Sequence, residues 1–332
     1  MLKQILSIAL LFMSANLFAQ TPLHVADSFH IKSDGWWDYI FVDSASNKLF
    51  VSHGTQVNVI DKNNGDSVGI IPGTLGVHGI ALVHNLNKGF TSNGRLNNVF
   101  VFDLNTLHVT DSIATGKNPD AIFYDEYSKK IITCNGGSKD ISVIDPSTNK
   151  VVATIDVKGK PETAVSDNAG NIYINNEDKS EIEVIDINLM KLIHTWSVAP
   201  GESPSGLSID KKNKLLFAGC DNKLLIVIDA TNGKLITKLP IGDGCDGTAF
   251  DPSLNTIYSS NGEGTLTIIK EESKNKFTVI NNLATKRGAR TLTVDMHTHN
   301  VYTPTADFGA STDTSKRPPL MPGTFQVIVC KY

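Results

Sequence analysis

The chain has 332 residues, 40% apolar and 19% charged, with a net charge of −4. That balance belongs to a folded chain rather than a disordered one, and a mildly acidic surface offers no general attraction to nucleic acid or an anionic membrane. The four cysteines, Cys134, Cys220, Cys245 and Cys330, include no CxxC pair and no cluster with histidine, which excludes the common zinc motifs.

Residues 1–19 read as a secretory signal peptide. Lys3 gives a short positive end, Ile5 to Met13 an apolar core, and Leu17-Phe18-Ala19 a cleavage site before Gln20. The alternative is an uncleaved anchor, but the apolar core is shorter than the roughly 20 residues a bilayer span needs. No cysteine follows the cut to carry a lipid anchor. A periplasmic or secreted protein is expected, with residues 20–332 as a single domain and no membrane insertion.

Beyond the leader the chain repeats itself. VNVID (57–61), VFVFD (99–103), ISVID (141–145), IEVID (182–186) and LIVID (225–229) start 42, 42, 41 and 43 residues apart. A second series, Asp43, His84, Asp125, Asp167, Asp210, Asp251 and Asp295, closes an apolar run in each of seven units. Between the two lies a third run, from KLFVSHG (48–54) to NVYTPTA (300–306), and a fourth follows, as in VVATIDV (151–157) and KLITKLPI (234–241). Alternating apolar runs broken by Gly, Asn and Asp predict strands joined by tight turns. A period in the forties, with four strands per unit, predicts an all-β, seven-bladed β-propeller.

The last unit tests this reading. Residues 325–329 (FQVIV) supply its third strand and no fourth follows, whereas LHVADSF (23–29) matches LHVTDSI (107–113), the fourth strand of unit two. The N-terminal strand is therefore expected to complete the C-terminal blade and close the ring, removing a free sheet edge.

The VxVID phrases resemble the YncE-like, YVTN-repeat β-propeller family. So do the NG or HG turns and the openings KNPDAI (117–122), KPETAV (160–165) and SPSGLSID (203–210). The tail ADFGAS (306–311) with RPPLMPGTFQVIV (317–329) is also similar to the close of its exported members. The resemblance covers nearly the whole chain after the leader and implies the fold. The family's namesake has been linked to DNA binding, and relatives of the fold occur in surface-layer proteins and redox enzymes. No motif transfers any of those activities residue by residue.

Superposing the units locates the channel mouth, where propeller loops collect ligands. Five residues before the Asp/His series stand Asp38, Gly79, Asp120, Glu162, Ser205, Asp246 and Arg290, with Trp37 beside Asp38 and His78 beside Gly79. Four carboxylates and an arginine on one rim suit a small cationic or polyhydroxyl ligand, or a protein partner; the alternative is a solvated rim. No DxDxDG loop provides a cage, so neither a metal nor a cofactor is expected. A second ring, His53, Asn93, Asn135, Asn176, Cys220, Asn261 and Thr305, ends the second strands. Its asparagines read as turn residues tolerating positive φ, and His53 as a candidate contact.

In unit seven residues 304–324 form a long loop carrying Asp307, Phe308, Arg317 and Pro318-Pro319, a candidate lid that would bring Phe308 and Arg317 to the funnel. Cys220 and Cys245 would lie near one face, which leaves open a disulfide or two separate thiols. No catalytic motif is present. The favoured reading is a monomeric binding protein without chemistry of its own. The second is a lyase or hydrolase with His78 or His53 as base, a rim carboxylate as acid and Arg290 as anion stabiliser. The third, nucleic-acid binding, has too few basic residues at the mouth to support it.

Overall fold

The protein is described by a computed structural model covering residues 21–310 and 317–332. The signal peptide expected over 1–19 lies outside these residues. Seven antiparallel four-stranded sheets form the blades of a seven-bladed β-propeller, each packed on the next and the seventh on the first. Among the described residues no helix is long and apolar enough to cross a membrane.

Sheets stacked face to face bury both sides of their middle strands. In blade one Lys48–His53 and Gln56–Asp61 are buried almost throughout, which is why the VxVID runs read as nearly unbroken apolar segments. Outer strands such as Lys150–Asp156 alternate between exposed and packed positions. One apolar cluster fills each gap between neighbouring blades. That between blades three and four, for example, joins Ile132, Ile141 and Val143 to Ile172, Ile174 and Ile185.

The ring closes as the repeats predict. The seventh blade consists of Thr293–Val294, Val301–Thr305, Gln326–Lys331 and, outermost, the N-terminal strand His24–His30, paired with Gln326–Lys331 from His24 to His30. Phe29 of that strand is buried against Trp37, Val51 and Val327, so closure is apolar as well as hydrogen-bonded.

The repeated aspartates close the turn between first and second strands. Asp210 Oδ1 accepts from the backbone amides of Lys212 at 2.8 Å and Asn213 at 3.2 Å, and Asp251 Oδ1 from those of Ser253 and Leu254 at 2.9 and 3.1 Å. The same carboxylates tie blade to blade. Lys62 reaches Asp295 at 2.9 Å, Ser166 donates to Asp125 at 2.6 Å, and His299 bonds Asp251 at 2.6 Å. This series is therefore architectural, at the end of the channel opposite the mouth.

Candidate functional site

A β-bulge opens the inner strand of each of the first six blades. The register slips between Trp37 and Ile40, Val77 and Ile80, Pro119 and Ile122, Pro161 and Ala164, Pro204 and Gly206, and Cys245 and Gly247. Bulges bend a strand and re-aim its side chains. The slips contain Asp38, Gly79, Asp120, Glu162, Ser205 and Asp246, six of the seven positions that superposition of the repeats singles out.

The freed backbone groups are met from the second strand. Ser52 Oγ accepts from Asp38 N at 3.1 Å and donates to Tyr39 O at 2.8 Å; Ser92 Oγ accepts from Gly79 N at 2.8 Å and donates to Asp120 O. Asn175 Nδ2 donates to Ser205 O and Gly206 O at 3.1 and 3.0 Å, and Ser260 Oγ donates to Gly247 O at 3.3 Å. The polar residue next to the last in these second strands thus holds the bulge that aims the rim side chain.

The rim residues converge. His78 Nδ1 lies 2.5 Å from Asp38 Oδ2 and 3.5 Å from Asp120 Oδ1. Arg290 Nε donates to Asp246 Oδ2 at 2.5 Å, and its Nη2 reaches Asp38 Oδ1 and the Trp37 carbonyl, both at 3.3 Å. Ser205 Oγ donates to Asp246 Oδ1 at 2.5 Å. Lys160 pairs with Glu162 at 2.9 Å and also with Glu177. The four carboxylates are thus separated by Arg290, Lys160 and the imidazole.

Electrostatics follow from this packing. Burial raises Asp120 to about 7, partly offset by His78, and burial with the charge of Asp120 lifts Glu162 to about 8. Burial would raise Asp38 too, but the His78 hydrogen bond and the Arg290 charge hold it below the ordinary carboxylate value. His78 stands at about 9, because its Asp38 hydrogen bond and the nearby carboxylates outweigh burial.

Two residues at the mouth escaped the sequence reading. Tyr39, one residue past Asp38, spans the channel from blade one and meets Thr163 Oγ1 in blade four at 3.2 Å, flooring the mouth. Lys160 supplies a second fixed cation. Both carry a signal in the aligned repeats. Tyr39 stands where other blades have Ile80, Ala121, Thr163, Gly206, Gly247 and Thr291, and Lys160 where they have Trp36, Val77, Asn118, Ser203, Gly244 and Gly288.

Several expectations are corrected. His53 does not join the rim: it is 1% exposed, hydrogen-bonded through Nε2 to Gly35 O at 2.7 Å and through Nδ1 to Ser33 Oγ at 2.5 Å, and stacked on Phe325 at 3.7 Å. Burial lowers its pKa. The asparagines of the second ring are extended, Asn93 at φ −118° and Asn176 at φ −101°. Left-handed backbone falls four residues later, at Asn97, Lys139 and Ser180. Asn135 and Asn261 instead brace the hairpin, donating to Ser142 at 2.8 Å and to Thr267 at 3.0 Å. Of the two alternatives left open for Cys220 and Cys245, the structure has separate buried thiols, and burial pushes each up to about 12.

The candidate lid lies on the junction of blades seven and one. Phe308 bridges to Leu320 and packs near Trp36 and Trp37, with ring centroids 6.2 and 6.1 Å away, under the Arg287 guanidinium. Arg317 sits over the Trp36 ring at 5.4 Å. Both side chains are engaged with this aromatic platform rather than with the carboxylates; residues 311–316 lie outside the described residues.

No protein-family model matches the chain. It is 25% identical over 234 residues to Antigen Lp49 of Leptospira interrogans serogroup Icterohaemorrhagiae serovar copenhageni (strain Fiocruz L1-130), across 66% of this chain and 51% of that protein. The chain thus spans about half the length of this relative. Among solved structures it is similar to Kuenenia stuttgartiensis hydrazine synthase (TM-score 0.71, 16% identity, 82% of this chain and 94% of that one). It is also similar to U3-55K (TM-score 0.78, 8% identity, 94% and 100%) and to the RRP9 WD40 repeats (0.77, 8%, 93% and 98%). At these identities the likeness establishes the β-propeller fold and nothing of activity.

Proposed function

We propose that this protein is an exported binding protein of the YncE-like, YVTN-repeat type, which holds a small cationic or polyhydroxyl ligand at the mouth of its channel and performs no chemistry on it. One observation carries the reading. Six successive bulges aim side chains at one mouth, and Asp38, Asp120, Glu162 and Asp246 meet there beside, among the described residues, three cationic partners, Arg290, Lys160 and His78. Concentrated, half-buried like charge marks a site better than a scattered polar surface does. Tyr39 floors the mouth, so a ligand would enter and leave by the same opening. The leader-like residues 1–19 and the description of the matched relative as an antigen are in keeping with export.

The test is to identify, by native mass spectrometry, what accompanies protein purified from its native host. Loss of that species from an Asp120→Ala/Glu162→Ala double variant that still folds supports the reading. Turnover of the captured molecule that disappears in His78→Ala would replace it with an enzyme.

A further inference from the structure

We infer that the mouth contains a mononuclear site for a divalent transition-metal ion of the Zn2+ or Mn2+ class, with His78 Nδ1, Asp38 Oδ2 and Asp120 Oδ1 as ligands. This rests on the binding reading above and names a ligand for it.

The three donor atoms lie within 4.8 Å of one another and come from three neighbouring blades. Asp120 is short of a hydrogen-bond donor, although His78 lies close enough to balance its charge. The residue is 5% exposed, yet its Oδ1 accepts no hydrogen bond and faces His78 Nδ1 across 3.5 Å. A buried carboxylate oxygen without a donor is costly unless something occupies the space before it.

The surroundings are those of a held ligand set. Arg290 reaches Asp38 Oδ1, leaving Oδ2 turned towards the imidazole. Such outer hydrogen bonds orient ligating carboxylates. The His78 ring packs against Gly94, where an added Cβ would lie 2.7 Å from Nε2. The two fixed cations are already paired, Arg290 with Asp246 and Asp38, and Lys160 with Glu162 and Glu177. One imidazole nitrogen and two carboxylate oxygens, without thiolate, favour borderline divalent ions over soft ones; calcium would ask for six to eight oxygens. Water from the open mouth completes the coordination.

The probe is Zn2+ alone, titrated calorimetrically into EDTA-dialysed protein, with Co2+ absorption as a second readout of ligand geometry. One ion per chain is expected, with a dissociation constant in the micromolar range or below. Asp120→Asn, which keeps shape, and His78→Gln should each weaken binding about 10-fold or more. The exposed control Asp66→Asn should leave it unchanged. No binding at millimolar Zn2+, or equal binding in Asp120→Asn and His78→Gln, overturns the inference. Should a variant fail to fold, the Co2+ spectrum of the unaltered protein decides, because a site holding only water and exposed carboxylates gives the weak absorption of octahedral cobalt. Metal-free protein that still retains a co-purifying organic molecule would sink the metal site while leaving the binding reading intact.

Discussion

The Tyr39 hydroxyl meets Thr163 Oγ1 at 3.2 Å from the opposite side of the ring, so one side chain spans the channel beneath the rim. Its ring packs on the apolar cluster of blades three and four, although Tyr39 belongs to blade one. Tyr39→Phe should cost about 1 kcal/mol, the net value of one hydrogen bond. Tyr39→Ala should cost about 3 kcal/mol or more by opening a void. Urea denaturation checks both; equal stabilities for the two variants would show that packing of this ring contributes nothing.

Ring closure depends on the first described strand. Removing residues 22–31 deletes the outer strand of blade seven and the buried Phe29, so a large fall in melting temperature is expected. Phe29→Ala alone should cost about 3–5 kcal/mol. Gly65→Ala probes the same contact from the other side, since a Cβ there, at φ +79°, would lie 2.5 Å from the Phe29 ring. Scanning calorimetry of the three variants measures each effect, and a truncation that melts like the intact chain would rule out strand closure.

Glu271 gives stability a pH dependence independent of the rim. It is buried, Oε1 accepts from Asn213 at 2.8 Å, Oε2 has no partner, and burial lifts its pKa to about 7. A carboxyl raised in the folded state binds a proton that the unfolded chain releases. Stability is therefore lost as pH climbs from the ordinary glutamate value through about 7. Glu271→Gln should gain roughly 1–3 kcal/mol over the unaltered protein at pH 8 and little at pH 4. Thermal melts across that range would show a constant difference if Glu271 were ordinarily acidic.

Arg290 and Asp246 form a half-buried pair at 2.5 Å. Arg290→Met strands Asp246 and one oxygen of Asp38, and should cost about 2–4 kcal/mol. Asp246→Asn in that background should recover part of the loss. A double-mutant cycle measures the coupling, and strict additivity would mean that the pair does not act as one.

The fold was legible because the chain contains seven versions of one unit, so strands, turns and rim positions could be aligned within a single sequence. The rim was legible for the same reason: the bulge falls at one place in each of six repeats. What escaped depended on single copies. His53 is fixed by Ser33, Gly35 and Phe325, none of which belongs to the aligned runs. Tyr39 matters through reach across the ring, which alignment along the chain cannot measure. The Asn-Gly pair at Asn93 suggested left-handed backbone, but strand pairing kept Asn93, like Asn176, extended and moved the tight residue to the far side of the hairpin.

The bulges have an evolutionary consequence. Ser52, Ser92, Asn175 and Ser260 hold the backbone of five of the bulges, so the frame does not call for one residue type at the tip. Asp, Gly, Glu and Ser occupy that tip in different blades on nearly the same frame. Outside Gly79, where a Cβ would lie 2.8 Å from Ile122, recognition can therefore be rewritten one letter at a time, like tumblers in a lock, while the frame that carries them stays as it is.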